Sequence, residues 1–356
     1  MLSHGTDEPF LITRSSVLSR QQVYDEAMKL ASAMIANNLK LGDRVCLQLG
    51  SAPETVIAKL ACWFAGLPIY TFGIDPLPDF RKIVMDGIGA KYLLTPLRYR
   101  LLMNGDAGFV EDFPKPQGSD ILSIRRTSGT TGVSKIILDI CEKRLSSALW
   151  HATKSGAIPG EKLLFQCRQN VGTSNTGILS AVTSGCALVH WDADTESMKE
   201  VIETCKPTLL IAPPEKNYDG GYQRFLEEMS LIDLSSVKHC WAFGYVREEW
   251  ARQIDAMFVN GTFTISYGLT ESAISLLCDS SDPLEKRMTT VGTGYDPEII
   301  RIVDGELQIR KTYTSPFLDE AKYLSQITDD GEWFKTRDGV YIDDDGYYVI
   351  TGRFEE

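Results

Sequence analysis

The chain has 356 residues, 43% of them hydrophobic and 24% charged, with 36 basic against 48 acidic side chains and a formal net charge of −12. That balance describes a globular chain long enough for two or three domains or subdomains, and it excludes a small disulfide-stapled module. The sequence holds no run of five or six basic residues, so nucleic acid is not an expected partner.

In chain order, the opening MLSHGTDEPF lacks a basic region followed by an apolar stretch, and so carries no signal-peptide pattern. Val23, Ala27, Leu30, Ala31, Met34 and Ile35 then fall on one face of a predicted helix, and the run from Glu54 to Phe64 is apolar nearly all round. The longest apolar segment, TVIAKLACWFAG, is too short to span a bilayer and includes Lys59, so a soluble, cytoplasmic chain with no membrane partner is expected. RVCLQLG, LPIYTF and KYLLTP are predicted as short buried strands, and the pattern resumes with KLLFQC, CALVHW, PTLLIA, KHCWAFG and TFTISYG. Amphipathic stretches such as TESMKEVIETCK lie between them. This alternation predicts mostly parallel sheets, arranged as paired doubly wound α/β subdomains over residues 1–288. From about Thr289 the texture changes to short alternating segments, PEIIRIV, GELQIRK and GVYIDDDGYYVITG, broken by Asp-Gly and Gly-Glu turns. A small β-rich subdomain over 289–356 is expected there.

Cys46, Cys62, Cys167, Cys186 and Cys240 sit inside apolar runs and no pair has C-x-x-C spacing, so reduced core thiols are expected. Of His4, His151, His190 and His239 only His190 has a cysteine at helical spacing, Cys186, with no further histidine or cysteine beside the pair, and no zinc site is predicted. The acidic run Asp343, Asp344, Asp345 lacks the D-x-D-x-D-G spacing of a calcium loop; with Gly346 it reads as a hairpin turn.

One segment stands apart. RRTSGTTGVSK, Arg125 to Lys135, follows the apolar run SDILSI and combines glycines, hydroxyl side chains and a lysine. Backbone N–H groups of a glycine-rich turn, with serine and threonine hydroxyls, make a nest of donors suited to phosphate oxygens, and a lysine adds a point charge. The same composition also describes an ordinary surface turn. The Walker spacing fails, because Gly132 is followed by Val133 and Ser134. The dinucleotide G-x-G-x-x-G spacing fails too, because Gly129 and Gly132 are separated by two threonines but no glycine precedes them at the right place, position 127 being threonine.

In company with two later segments the loop resembles the T-S-G-T-T-G-x-P-K signature of the acyl-adenylate-forming superfamily of acyl-CoA synthetases, luciferases and peptide-synthetase adenylation domains. SYGLTE, Ser266 to Glu271, is similar to that family's Y-G-x-T-E. WFKTRDGVYIDDDGYYVITGR resembles its W-x-x-T-G-D … D-x-D-G-Y … G-R segment. Upstream, LKLGDRVCLQLGSAPETVIAKLACWFAGLPIY is similar to the family's first helix and strand units, so the resemblance covers nearly the whole chain. It implies the fold of the family's large N-terminal domain, ATP and Mg²⁺ as cofactors, and a small-molecule carboxylic acid as substrate. Thr127, Ser128, Gly129, Thr130, Thr131, Gly132 and Lys135 would hold the β and γ phosphates. Thr270 would reach the α phosphate, and Glu271 would be the Mg²⁺ ligand, making Lys135, Thr270 and Glu271 the catalytic set. Read alone, Glu271 is a solvated carboxylate and Tyr267 a core aromatic. Within the motif, Tyr267 with Ser266, Gly244 and Tyr245 would border adenine, Asp338 would accept the ribose hydroxyls, and Arg353 would contact the nucleotide. Asn170, Gly172, Trp241 and Gly268 lie where the family builds its acyl pocket, although Trp241 also reads as core.

The sequence departs from the family in several places. Val133 replaces a proline that would fix φ, which is expected to loosen the loop. Arg337 replaces the glycine of T-G-D, so either φ is negative there or strain is tolerated, and a cation is added near the phosphates. Phe243 replaces the first of a glycine pair. The sequence ends at Glu356, where the family continues into a smaller C-terminal domain that supplies a lysine for adenylation and builds the thioester site. That domain's absence is expected to slow adenylation and remove thioester formation, leaving the acyl-adenylate free or passed to a partner protein that supplies the missing function or accepts the acyl group. This layout resembles a truncated family member of phenazine-antibiotic biosynthesis, the D-alanylgriseoluteic acid pathway, which implies a flat aromatic acid such as a phenazine carboxylate. Two further readings stay open: a nucleotide-binding, non-catalytic subunit, and a chain cut at the hinge of a longer acyl-CoA or aryl-carrier ligase.

Overall fold

The computed structural model describes residues 7–105, 113–126, 135–212, 221–243, 246–272 and 275–354. An eight-stranded sheet runs, edge to edge, through Ser275–Leu277, Thr262–Gly268, His239–Phe243, Leu209–Ala212, Lys162–Phe165, Ala187–Val189, Pro9–Ile12 and Val17–Ser19. Its interior pairs are parallel and only the two edge pairs are antiparallel. A second sheet of five strands, Tyr92–Leu94, Val45–Leu47, Ile69–Thr71, Ile121–Arg126 and Ile136–Ile140, is parallel except for its last pair. The third, Ile300–Val303, Glu306–Arg310, Trp333–Ile342 and Tyr348–Arg353, is antiparallel throughout. This mixed α/β architecture agrees with the strand and helix alternation in the sequence.

One apolar core joins the two larger sheets. It contains Val45, Leu47 and Leu94 from the five-stranded sheet, Leu163, Leu188 and Trp241 from the eight-stranded one, and helical side chains such as Leu30, Val56, Ala148 and Ile178. The Arg20–Ala36 helix starts at Ser19, whose side chain accepts from Gln22 N while Gln22 reaches back to the cap, two otherwise orphaned donors satisfied at once. The Glu54–Phe64 helix is buried from Thr55 to Trp63, Lys59 included, which is why its sequence is apolar all round. Lys59 compensates for its burial by donating to Gln169 O at 2.7 Å, Gln169 Oε1 at 3.1 Å and Ser174 Oγ at 2.8 Å. Burial still pushes its ammonium down to about 7.

The predicted strands are present, TFTISYG in full as Thr262–Gly268 and the others shorter than expected. RVCLQLG contributes only Val45–Leu47, because the chain turns away at Gly50, where φ is +65°. KYLLTP keeps Tyr92–Leu94, and Thr95 caps the next helix with Pro96 at its first position. The hairpin at Asp343–Gly346 is as expected: Gly346 has φ +87° and its amide donates to Asp343 O at 3.0 Å. Lys286 adds what periodicity does not show, binding Asp343 at 2.7 Å and Asp345 at 2.6 Å. All eight cysteines are free; Cys46, Cys62, Cys186 and Cys240 are buried, while Cys167 is partly exposed. Among the described residues no helix is long and apolar enough to cross a membrane.

Candidate functional site

In parallel sheets ligands collect beyond the carboxyl ends of the strands, where the loops diverge. The Thr262–Gly268 strand is followed by Leu269, Thr270 and Glu271, and the neighbouring His239–Phe243 strand ends just before Gly244 and Tyr245 in the sequence. The glycine-rich loop joins Ile121–Arg126 to Ile136–Ile140, an antiparallel pair, so that Arg126 and Lys135 lie at its two mouths. Thr127, Ser128, Gly129, Thr130, Thr131 and Gly132, together with Val133, Gly244 and Tyr245, lie outside the described residues.

Lys135 and Glu271, 136 positions apart in the numbering, meet in space: Nζ stands 3.6 Å from Glu271 Oε1. The same ammonium donates to Gln326 Oε1 at 3.0 Å and lies 5.1 Å from the centre of the Phe317 ring. Burial lowers the Lys135 pKa; Glu271 opposes the shift, and the nearby Arg353 and Arg337 guanidiniums reinforce it. Glu271 is 8% exposed.

The backbone under this pair is fastened residue by residue. Arg125 Nη2 and Arg144 Nη2 both donate to Thr270 O, at 2.5 and 2.6 Å. Ser315 N donates to Glu271 O at 2.7 Å, and Arg144 Nη1 to Ser272 O at 3.1 Å. The two arginines are held in turn by buried Asp139. Arg125 donates to it through Nε and Nη2 at 2.5 and 2.6 Å, Arg144 through Nε at 2.7 Å, and Ser123 Oγ at 2.6 Å. Burial raises the Asp139 pKa, and Arg125 and Ser123 oppose that shift. Asp139 sits on the strand leaving the glycine-rich loop and Arg125 on the strand entering it, so one carboxylate ties the loop's base to the Thr270–Glu271 segment.

Tyr267 and Asp338 also come together. Tyr267 Oη donates to Asp338 Oδ2 at 2.5 Å, and Arg353 Nε lies 3.8 Å from Oδ1, its strand partner in register. Burial raises the Asp338 pKa, with Tyr267 and Arg353 opposing and the Glu271 charge adding to it. The Tyr267 hydroxyl is pushed well above its ordinary range by burial and by Asp338. At Arg337 the chain takes the strained alternative: φ is +64°, and the amide donates to Glu306 Oε1 at 2.8 Å beside a register shift in the sheet.

Ser266 is fully buried and gives its hydroxyl to Ala242 O at 3.0 Å, tying two strands together below the site. Gly268 is exposed at the strand end. Asn170 is exposed after the Lys162–Phe165 strand. Gly172 opens the next helix, where an added Cβ would come within 2.7 Å of Arg125 Cδ and Nη1; this glycine makes room for the arginine that holds Thr270. Trp241 is 1% exposed in the shared core, 5.2 Å from the His239 ring, and its buried Nε1 has no hydrogen-bond partner among the described residues.

The sequence reading missed Asp139, Arg144 and the structural part of Arg125. A signal existed: Asp139 stands in the apolar run IILDI, and an acid inside such a run needs cationic partners once buried. Gln326 and Phe317 gave no signal, being 191 and 182 positions from Lys135.

A family model described as AMP-binding enzyme matches residues 3–312. A human mitochondrial acyl-coenzyme A synthetase is 22% identical over 392 residues, covering 89% of this chain; the chain spans 63% of that relative's length. Among solved structures, the N-terminal subdomain of Klebsiella oxytoca NpsA, in complex with anthranilyl-AMSN, superposes with a TM-score of 0.81 at 19% identity, covering 98% of this chain and 97% of that one. ATP-bound MatB from Rhodopseudomonas palustris gives a TM-score of 0.83 at 18% identity, covering 98% and 76%. At these identities the two structures show a shared fold.

Proposed function

Because this chain belongs to the family of AMP-binding enzymes, we propose that it activates a small carboxylic acid with ATP, forming an acyl-adenylate and releasing pyrophosphate. The observation that carries this reading is the meeting of Lys135, from the end of the glycine-rich loop, with Glu271, from the Tyr-Gly-Leu-Thr-Glu segment. In the proposed reaction a carboxylate oxygen bonds to the α phosphorus, the bond from that phosphorus to the bridging oxygen breaks, and pyrophosphate departs with the electron pair. Lys135 and the loop from Thr127 to Gly132 would hold the departing β and γ phosphates, and Thr270 the α phosphate. The arginine and serine contacts to the carbonyls of 270–272 keep Thr270 and Glu271 from moving as charge shifts, the form in which electrostatic stabilisation is most effective.

The residues fit Mg²⁺. One nearly buried carboxylate, Glu271, next to a phosphate-binding loop matches the way this ion is held by one or two protein carboxylates and the substrate's own oxygens. Glu271 would hold the ion, whose positive charge would offset that of the phosphates. Ser266, Tyr267, Gly244 and Tyr245 would border the adenine, Asp338 with Arg353 the ribose, and Asn170, Gly172, Gly268 and Trp241 the acyl group. An aromatic acid, for example a phenazine carboxylate, is the proposed substrate, a reading supported by the anthranilyl ligand of the Klebsiella neighbour. Residues 1–288 and 289–356 are proposed as the two domains, with a protein partner accepting the acyl group.

The test is ATP–pyrophosphate exchange against a panel of aryl and aliphatic acids. Acid-dependent exchange that is strongest with aryl acids and lost in Glu271→Gln is expected. Nucleotide binding with no exchange for any acid would replace this reading with that of a non-catalytic binding subunit.

A further inference from the structure

We propose that the cleft between the Cys141–Ser155 helix and the Lys311–Tyr313 turn is a second binding site, one that takes the phosphoryl group of a small organic phosphate. The cleft has a volume of about 490 Å³, and its lining includes Lys143, Arg310, Lys311, Thr312, Tyr323 and Glu332. Three cations thus face one carboxylate, in a chain whose net charge is −12. That carboxylate is already engaged, since Glu332 pairs with Arg310 at 3.1 Å. Lys143 donates one hydrogen to Thr314 O at 2.6 Å, and an ammonium carries two more. The Lys311 ammonium has no hydrogen-bond or ion-pair partner among the described residues.

Holding Lys143 and Lys311 together is unfavourable in the ligand-free chain. Burial is the largest cause of the lowered Lys143 pKa; Glu142, its neighbour on the same helix, pulls the other way, and the Lys311 charge adds to the lowering. A dianion placed between the two ammonium groups would reverse that repulsion through charge-assisted hydrogen bonds, and the Thr312 hydroxyl offers a neutral donor beside it. The cleft's size falls in the range of small-molecule sites, roughly 300–1,000 Å³, and exceeds what a bare phosphate fills. Tyr323 and Pro316 supply an apolar wall for the rest of the ligand.

The site differs from the nucleotide site, since neither Lys135 nor Glu271 lines it, yet the two are joined through the backbone. Lys143 holds the carbonyl of Thr314, and the next residue, Ser315, donates its amide to Glu271 O at 2.7 Å.

Isothermal titration of the full chain with phenyl phosphate and with inorganic phosphate tests this. Phenyl phosphate is expected to bind more tightly than inorganic phosphate. It should weaken about tenfold in Lys311→Gln, a surface change that leaves the circular dichroism spectrum intact, and stay unaffected in Lys135→Gln. Three results would each overturn the proposal: no binding of either probe, equal binding in wild type and Lys311→Gln, or a loss confined to Lys135→Gln. Equal affinity for the two probes would overturn the assignment to an organic phosphate.

Discussion

Two ion clusters adjoin at Thr270 and Glu271, and they are built differently. Around Asp139 every hydrogen bond is short, 2.5 to 2.7 Å, and both arginines also donate to backbone carbonyls, of Thr270 from each and of Ser272 from Arg144. Lys135 and Glu271, by contrast, stand 3.6 Å apart, with Arg337 and Arg353 adding positive charge beside the lysine. A closed cluster fixes position; a loose one beside a loop retains field for a ligand. The charged residues nearest the proposed chemistry are therefore of two kinds, and burial alone does not separate them, since Asp139 and Glu271 are both buried.

Substitution should separate them. Asp139→Ala leaves two guanidiniums facing each other in a desolvated pocket, and breaking such a buried pair is expected to cost about 3–5 kcal/mol, read as a lowered denaturation midpoint. A midpoint near that of wild type would mean that the cluster is not closed. Glu271→Gln should behave in the opposite sense, with stability within about 1 kcal/mol of wild type and exchange activity down about 10²-fold or more. Loss of folding in that variant would place Glu271 among the structural ions.

Lys59 extends the closed class to a lone cation. Its folded pKa of about 7 lies below the unfolded value of 10.5, so between those pH values the unfolded chain binds a proton that the native chain does not. Stability therefore rises with pH across that window by up to about 1.4 kcal/mol per unit from this group, and falls as pH drops toward 7. The stability difference between wild type and Lys59→Met, followed by urea titration at several pH values, should show that slope. A difference independent of pH would mean that Lys59 keeps its charge. The smallest effect is expected at Arg337. Arg337→Gly relieves a left-handed backbone and should gain up to about 1 kcal/mol while raising the KM for ATP. Lower stability, or an unchanged KM, would show that the strain has no counterpart in nucleotide binding.

The strands and helices were legible because apolar runs and amphipathic spacing record burial directly. Their ends were less so: Val45–Leu47 stops where Gly50 turns the chain, a decision taken by tertiary packing. The Lys135–Glu271 meeting was legible only through resemblance, since nothing local relates residues so far apart. Asp139 could have been found from its apolar neighbours, and Lys59 likewise from its place in an apolar helix. The contacts of Lys135 with Gln326 and Phe317 could not, because they arise from how the Glu320–Leu324 helix and its flanking loops pack against the five-stranded sheet.

The most direct test of the account follows an atom. With an aryl acid labelled with oxygen-18 in its carboxylate, the AMP released on hydrolysis of the adenylate should carry one labelled oxygen, because the carboxylate itself attacks the α phosphorus. AMP without label, or ADP in place of AMP, would contradict the central claim.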